Sequence, residues 1–141
     1  MEAILGAELK KYNRLYREMD EFYHNIAVKT GLSDSVFWIL YAICEYGDGC
    51  LQRDICAAFC VSKQTIHSAI HRMEKDGYLY LTEGRGRDKH IYLTKEGQRL
   101  MEENIVPVVR RENEALAKMG KEDSKELLRL TERYMQLLLG R

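Results

Sequence analysis

Between Val61 and Thr94 the chain reads VSKQTIHSAIHRMEKDGYLYLTEGRGRDKHIYLT, and few folds can hold elements in that order. Ser62 has the side chain of a helix N-cap, and Val61 and Ile66 stand where a hydrophobic staple would cross it. Ile66, Ala69, Ile70 and Met73 recur at intervals of three and four, which predicts a helix with one buried stripe. The same spacing turns Lys63, Gln64, Thr65, His67, Ser68, His71, Arg72 and Lys75 outward. Gly77 suits the left-handed residue that ends such a helix. Tyr78 to Thr82 and His90 to Leu93 then alternate like strands, with Leu79, Leu81, Ile91 and Leu93 on one face. A basic turn from Gly84 to Lys89 joins them.

A helix that exposes small polar and basic groups, followed at once by a basic ribbon, suits duplex DNA. The helix fits the major groove, and the ribbon reaches the adjacent backbone or minor groove. On this reading Gln64 can pair with adenine and Arg72 with guanine. Lys63, Thr65 and Ser68 suit phosphates, Ser62 adds the amides of a helix N-terminus, and His67 and His71 share the exposed face. In the wing, Arg85, Arg87 and Lys89 supply charge, and Arg85 and Arg87 suit a narrow minor groove. Asp88 is read as orienting Arg85 or Arg87 through a salt bridge, or as a plain turn residue. A solvated amphipathic helix would explain the helix alone equally well; the ribbon tips the reading toward DNA.

The remaining pattern is mainly α. Apolar residues from Leu5 to Ile26 recur at helical spacing, predicting a long first helix from about Ala3 to Lys29, ended by Gly31. Ser33 caps a second, nearly all-apolar helix from Val36 to Tyr46, with Leu32 and Phe37 placed as its staple. After Gly47-Asp48-Gly49 comes a short helix around Gln52 to Phe59, with Ile55, Ala58 and Phe59 turned inward. Thr94 caps a helix toward Met119 that Pro107 interrupts or kinks, and Gly120 precedes a last helix rich in leucine. The expected fold is a winged helix-turn-helix with long N- and C-terminal dimerisation helices. The expected segments are 1–32 (dimerisation), 33–94 (DNA binding) and 95–141 (dimerisation). The first and last helices carry more apolar surface than a small winged domain buries, so each is expected to pack on its counterpart in a homodimer. Such a dimer presents two recognition helices roughly 34–36 Å apart to a palindromic operator.

Composition narrows the alternatives. The chain has 45 % hydrophobic and 31 % charged residues and zero formal net charge, the profile of an ordinary folded protein. Residues 1–50 hold five Lys/Arg against eight Asp/Glu, while 62–92 hold six against four. That mild bias predicts salt-sensitive affinity supported by dimerisation. The longest apolar run, Val36 to Cys44, falls short of the roughly 18 residues of a membrane span, and the N-terminus lacks a signal-peptide core, so a cytoplasmic protein is expected. No catalytic constellation is visible, no enzyme activity is expected, and neither cofactor nor metal is called for. The histidines lack metal spacing. Cys44, Cys50, Cys56 and Cys60 crowd together without a CxxC pair and read first as small buried hydrophobes. Tyr12, Tyr16, Phe37, Trp38 and Tyr41 form an aromatic set that reads first as core and second as a pocket for a small aromatic or amphipathic effector.

The stretch SKQTIHSAIHRMEKDGYL, the wing ending IYLTKEG and the segment PVVRRENEAL together resemble the MarR family of bacterial winged-helix regulators, over essentially the whole chain. The resemblance implies an obligate homodimer, usually a repressor, whose DNA affinity falls when a small molecule or oxidant acts. It also implies a pocket between the dimerisation helices and the winged domain. The family's wing carries Asp-x-Arg; Asp88-Lys89-His90 has histidine in the third place, leaving Arg85 or Arg87 to take over. The cysteine sensed by the family's peroxide-responsive members lies in the first helix, where this chain has none. Two alternatives stay open: a regulator switched by redox or metal chemistry at Cys56 and Cys60, and a protein-interaction dimer that uses the winged fold without DNA.

Overall fold

The structure, a computed structural model, describes residues 4–59 and 62–141. The expected roles of Ala3, Cys60 and Val61 therefore lie outside the described residues. Seven helices and two strands are described: α1 (Ala7–Thr30), α2 (Asp34–Tyr46), α3 (Gln52–Ala58), α4 (Lys63–Lys75), β1 (Leu79–Glu83), β2 (Lys89–Leu93), α5 (Lys95–Asn104), α6 (Val106–Met119) and α7 (Lys121–Leu138). This is the mainly α, winged helix-turn-helix class that the pattern predicts. Contacts divide the chain into two units, Met1–Met101 and Glu102–Arg141, with the division inside α5.

In the first unit α2 is the spine, because its sequence is apolar nearly all round. Phe37, Ile39, Leu40, Ala42 and Ile43 are buried on it, and Ser33 caps it by accepting from the Val36 N–H at 3.3 Å. Against it packs the predicted stripe of α4: Ile66, Ala69, Ile70 and Met73 are all buried. Ile55 of α3 and Leu79, Ile91 and Leu93 of the ribbon complete the core. Ala58 departs from expectation. It is exposed at the C-terminus of α3, where the inward side is taken by Ile55 and, half-buried, Phe59. The N-terminus of α3 has no hydroxyl cap; the Asp54 carboxylate instead accepts from the Leu51 N–H at 3.1 Å.

The ribbon is antiparallel, pairing Leu79 with Leu93 and Glu83 with Lys89 at its two ends. The sequence pattern missed a third, minimal edge. The Gly49 N–H donates to the Ile91 carbonyl at 2.7 Å, the Ile91 N–H to the Cys50 carbonyl at 2.8 Å, and Leu51 bridges His90. Asp48 accepts from the Leu93 N–H at 2.8 Å, so the loop after α2 anchors the far end of β2.

Two glycines have steric reasons. Gly77 has φ 82°, the left-handed backbone that turns the chain out of α4 into β1. Gly97 sits where a Cβ would land on the Tyr78 carbonyl oxygen, so only glycine lets α5 lie this close to the start of the ribbon. Thr94 joins the same corner, donating to the Gly77 carbonyl at 2.6 Å and capping α5 by accepting from the Gly97 N–H at 3.1 Å.

The second unit holds the helix pair α6 and α7. The predicted interruption at Pro107 is a one-residue break at Ile105: α5 ends at Asn104, and α6 begins with the proline in its first turn, where no amide hydrogen is needed. α7 buries none of its residues, although Leu127, Leu130, Leu137 and Leu138 fall along one side at helical spacing. Ser124 at its start donates to the Leu116 carbonyl of α6 at 2.6 Å. No single described helix is long and apolar enough to cross a membrane.

Candidate nucleic-acid interface

Burying one stripe of α4 forces the other side into solvent, and that side carries the predicted contact residues. Ser62 caps the helix, accepting from the Thr65 N–H at 3.1 Å, with its hydroxyl 2.8 Å from that of Thr65. Lys63, Gln64, Thr65, His67, Ser68, His71 and Arg72 are all exposed. The wing tip leaves Arg85, Arg87 and Lys89 exposed as well, with Gly86 at φ 61° making the turn between the arginines.

Two shallow recesses flank the helix. One, of about 440 Å³, brings Ser62, Gln64, Thr65, Ser68 and Arg72 together with Ser33 and Ser35 at the start of α2. Two capped helix N-termini thus border one trough. Such termini present unpaired amides and a positive dipole end to an anion, as a phosphate requires. The other recess, of about 490 Å³, joins Lys63, Gln64 and His67 to Arg87 and Lys89 of the wing, with Gln52, Arg53 and Cys56 of α3 on its wall. Gln64 is shared by both. Arg85 and His71 line neither.

Asp88 does not orient Arg85 or Arg87. Its carboxylate lies 3.4 Å from the guanidinium of Arg53, which ties the wing tip to α3. The local pattern pointed to an arginine within the turn or to a plain turn residue, but the partner comes from a helix folded alongside it. Lys89 faces Glu83 across the ribbon at 3.7 Å, so part of its charge is shared. His90 points inward to the anchoring loop, with Nδ1 2.8 Å from the Gly49 carbonyl. A histidine at this place therefore holds the wing's base rather than reaching outward as an arginine would.

His67 and His71 engage each other. Gln52 Nε2 can only donate, so His67 Nδ1 at 2.9 Å accepts, which puts the ring proton of neutral His67 on Nε2. That N–H lies 2.9 Å from His71 Nε2, which then accepts, and His71 Nδ1–H faces Glu74 at 3.6 Å. The relay fixes both tautomers and spends both nitrogens of His67 on protein partners. Gln52, Arg53 and Ser35 are site residues that sequence reading missed. No periodicity links position 52 to 67 or 53 to 88; only the packing of α3 does.

Among the described residues, no group of three or more His, Cys, Asp or Glu is disposed to hold a metal ion. Cys44, Cys50 and Cys56 are half-buried. Burial, then the nearby Asp54 and Asp48 carboxylates, push the Cys50 thiol from 9.0 up to about 11, against thiolate chemistry there.

The aromatic set separates on inspection. Phe37 is fully buried and belongs to the core, which removes it from any pocket wall. Tyr12 stacks on Tyr16 with centroids 6.5 Å apart, and Tyr41 lies against Trp38 at 5.4 Å. Only Tyr16 and Trp38 of the five line a recess of about 320 Å³, with Met19, Asp20, Tyr23 and Phe59.

Comparison with known proteins gives the family and the fold. Residues 30–89 match the sequence profile of the MarR family. The chain is 30% identical over 107 residues to the uncharacterized HTH-type transcriptional regulator YwoH of Bacillus subtilis, covering 75% of this chain and 77% of that protein. Its fold is similar to that of NadR, solved in complex with 4-hydroxyphenylacetate (TM-score 0.70, 19% identity, 97% of this chain and 96% of that one). It is also similar to the PcaV transcriptional regulator of Streptomyces coelicolor, solved with its natural ligand (TM-score 0.62, 19% identity, 88% and 91%).

Proposed function

The chain belongs to the MarR family of transcriptional regulators, and from that premise we propose that it is a homodimeric, sequence-specific DNA-binding repressor released from its operator by a small-molecule effector. The observation that carries the reading is the single exposed surface on which the outward side of α4 meets the wing cations across one recess. Gln64, central to both recesses, reads a base edge. Arg72 reads guanine where it reaches one, and Lys63, Thr65, Ser68 and the N-terminus at Ser62 hold phosphates. Arg85 and Arg87 enter the flanking minor groove. His67 acts through its shape and its bond to His71, since both its ring nitrogens are used. The site works in the cytoplasm on a palindromic operator.

Dimerisation is supported by apolar side chains that the chain does not cover itself. On α7, Leu128, Leu137 and Leu138 are 64%, 66% and 71% exposed, and Leu9, Leu15 and Met19 of α1 are also open. Segments 1–32 and 95–141 supply the dimer contacts in this reading, and 33–94 the DNA-binding domain. Effector control is supported by the ligands bound to NadR and PcaV and by the aromatic recess beside Trp38.

The test is selection of sites from random duplex DNA, followed by affinity across a salt series. An enriched inverted repeat with a steep salt slope is expected. Arg85→Ala with Arg87→Ala removes four cations from the dimer, and should weaken binding to most sequences and flatten the slope by up to about 4, whereas Gln64→Ala should change base preference. Unchanged affinity in the double arginine variant would refute the wing assignment.

A further inference from the structure

Trp38 is the only tryptophan in the chain, and it stands at the centre of an aromatic cluster. The rings of Tyr23 and Phe59 lie 5.4 and 6.0 Å from it, and Phe37 backs it edge-on from the core at 5.2 Å. The recess of about 320 Å³ on this cluster is walled by Tyr16, Met19, Tyr23, Trp38 and Phe59, and its one charged lining residue is Asp20. A second recess, about 430 Å³, continues past Tyr23 and Trp38 and shares Asp20, adding Glu21, His24 and Asp34. Neither recess is lined by a lysine or an arginine. Asp34 has His24 at 3.7 Å, but Asp20 and Glu21 have no hydrogen-bond or ion-pair partner among the described residues. Arg17, one turn earlier on α1, pairs with neither.

Aromatic faces carry negative potential and attract cations, and an adjacent carboxylate adds to that field. An anionic ligand seated on the same rings would bring its charge against Asp20 with no cation to receive it. We propose that this recess binds an organic cation, a protonated or quaternary amine on an aromatic or apolar body of about one ring. The ring packs on Trp38 and Phe59, and the cationic head lies at Asp20. The volume is at the small end of the range for ligand sites, roughly 300–1,000 Å³. The inference deepens the effector-controlled reading and rests on it for the consequence at DNA; binding of the cation itself does not.

Because Trp38 is alone, intrinsic fluorescence reports on the recess directly. The protein is titrated with benzyltrimethylammonium and, separately, with phenylacetate. A saturable change in Trp38 emission is expected with the ammonium, at concentrations at least about tenfold below any effect of the carboxylate. Asp20→Asn should weaken the ammonium about tenfold while leaving the circular dichroism and the unliganded emission in place. Equal or tighter binding of phenylacetate, or an ammonium affinity indifferent to Asp20→Asn, overturns the proposal. So does silence from both probes, the result expected if a second copy of the chain covers the recess. Operator affinity is measured on the same samples. Intact DNA binding with a failed titration rejects the cation site alone, and a good titration without DNA binding rejects the repressor reading alone.

Discussion

α4 and α7 are built on the same device, a helix with one apolar side, and the chain treats them oppositely. Ile66, Ala69, Ile70 and Met73 of α4 vanish beneath α2, α3 and the ribbon, while α7 buries none of its residues. The difference lies in what the rest of the chain can supply. Around α4, three short connections return neighbouring elements onto the stripe within about one domain's radius. Around α7, α6 is the partner described in its own unit, and a single helix covers only part of a broad leucine face. An apolar stripe therefore marks a contact surface in both places. Whether the contact lies within the chain depends on the number of elements able to reach it.

Charging the exposed side tests that contrast most severely. Leu130→Glu combined with Leu137→Glu, two turns apart on one side of α7, should weaken self-association by roughly a hundredfold or more in analytical ultracentrifugation, because a carboxylate would be buried in an apolar contact. A dimer of unchanged strength would mean that these leucines are simply solvated, and the proposed role of α7 would fall. The complementary change is Ile70→Ala on the covered side. It should cost about 2–5 kcal/mol in urea unfolding, since the surrounding side chains close only partly on the void. A loss below ~1 kcal/mol would show that the winged core is not packed as described.

A smaller effect follows from Cys50, half-buried in the loop between α2 and α3. Its thiol is raised from 9.0 to about 11, so the folded protein keeps a proton that the unfolded chain releases first. The sign follows: Cys50's contribution to stability is whole below pH 9 and falls as pH rises toward 11. The stability difference between wild type and Cys50→Ala should shift against wild type over that window. A difference independent of pH would refute the assignment. The smallest change belongs to Arg53 and Asp88, an exposed guanidinium and a half-buried carboxylate between α3 and the wing. Asp88→Asn should alter stability by no more than about 0.5 kcal/mol, with any larger response confined to DNA affinity. A stability loss beyond ~1 kcal/mol would make the pair a structural tie instead.

Much of this molecule is legible along the chain. The α4 stripe, the Ser33, Ser62 and Thr94 caps, the Gly77 exit and the break before Pro107 are written in residues within one or two turns of each other. Each is governed by local backbone chemistry, which acts over the same short range. The outward residues of α4 were found by subtraction, since a helix that buries one side must expose the other. Misreadings occurred where spacing is uninformative. Ala58 was placed inward at the frayed end of a seven-residue helix, too short for its phase to be certain. Phe37 and Trp38 are neighbours in sequence with rings 5.2 Å apart, yet Phe37 is fully buried in the core while Trp38 is half-buried and lines a recess.

What local pattern determined, then, was the set of elements, their ends, and which side of each must meet another surface. Tertiary structure alone decided which partners fill those meetings across long sequence gaps. It set Arg53 against Asp88, Gln52 against His67, Asp48 against the Leu93 amide, and Phe59 against Trp38 beside Asp20. Polar and aromatic contacts of that kind depend on distances of a few ångströms between segments, and one-dimensional periodicity carries the direction a side chain faces but not what stands opposite it.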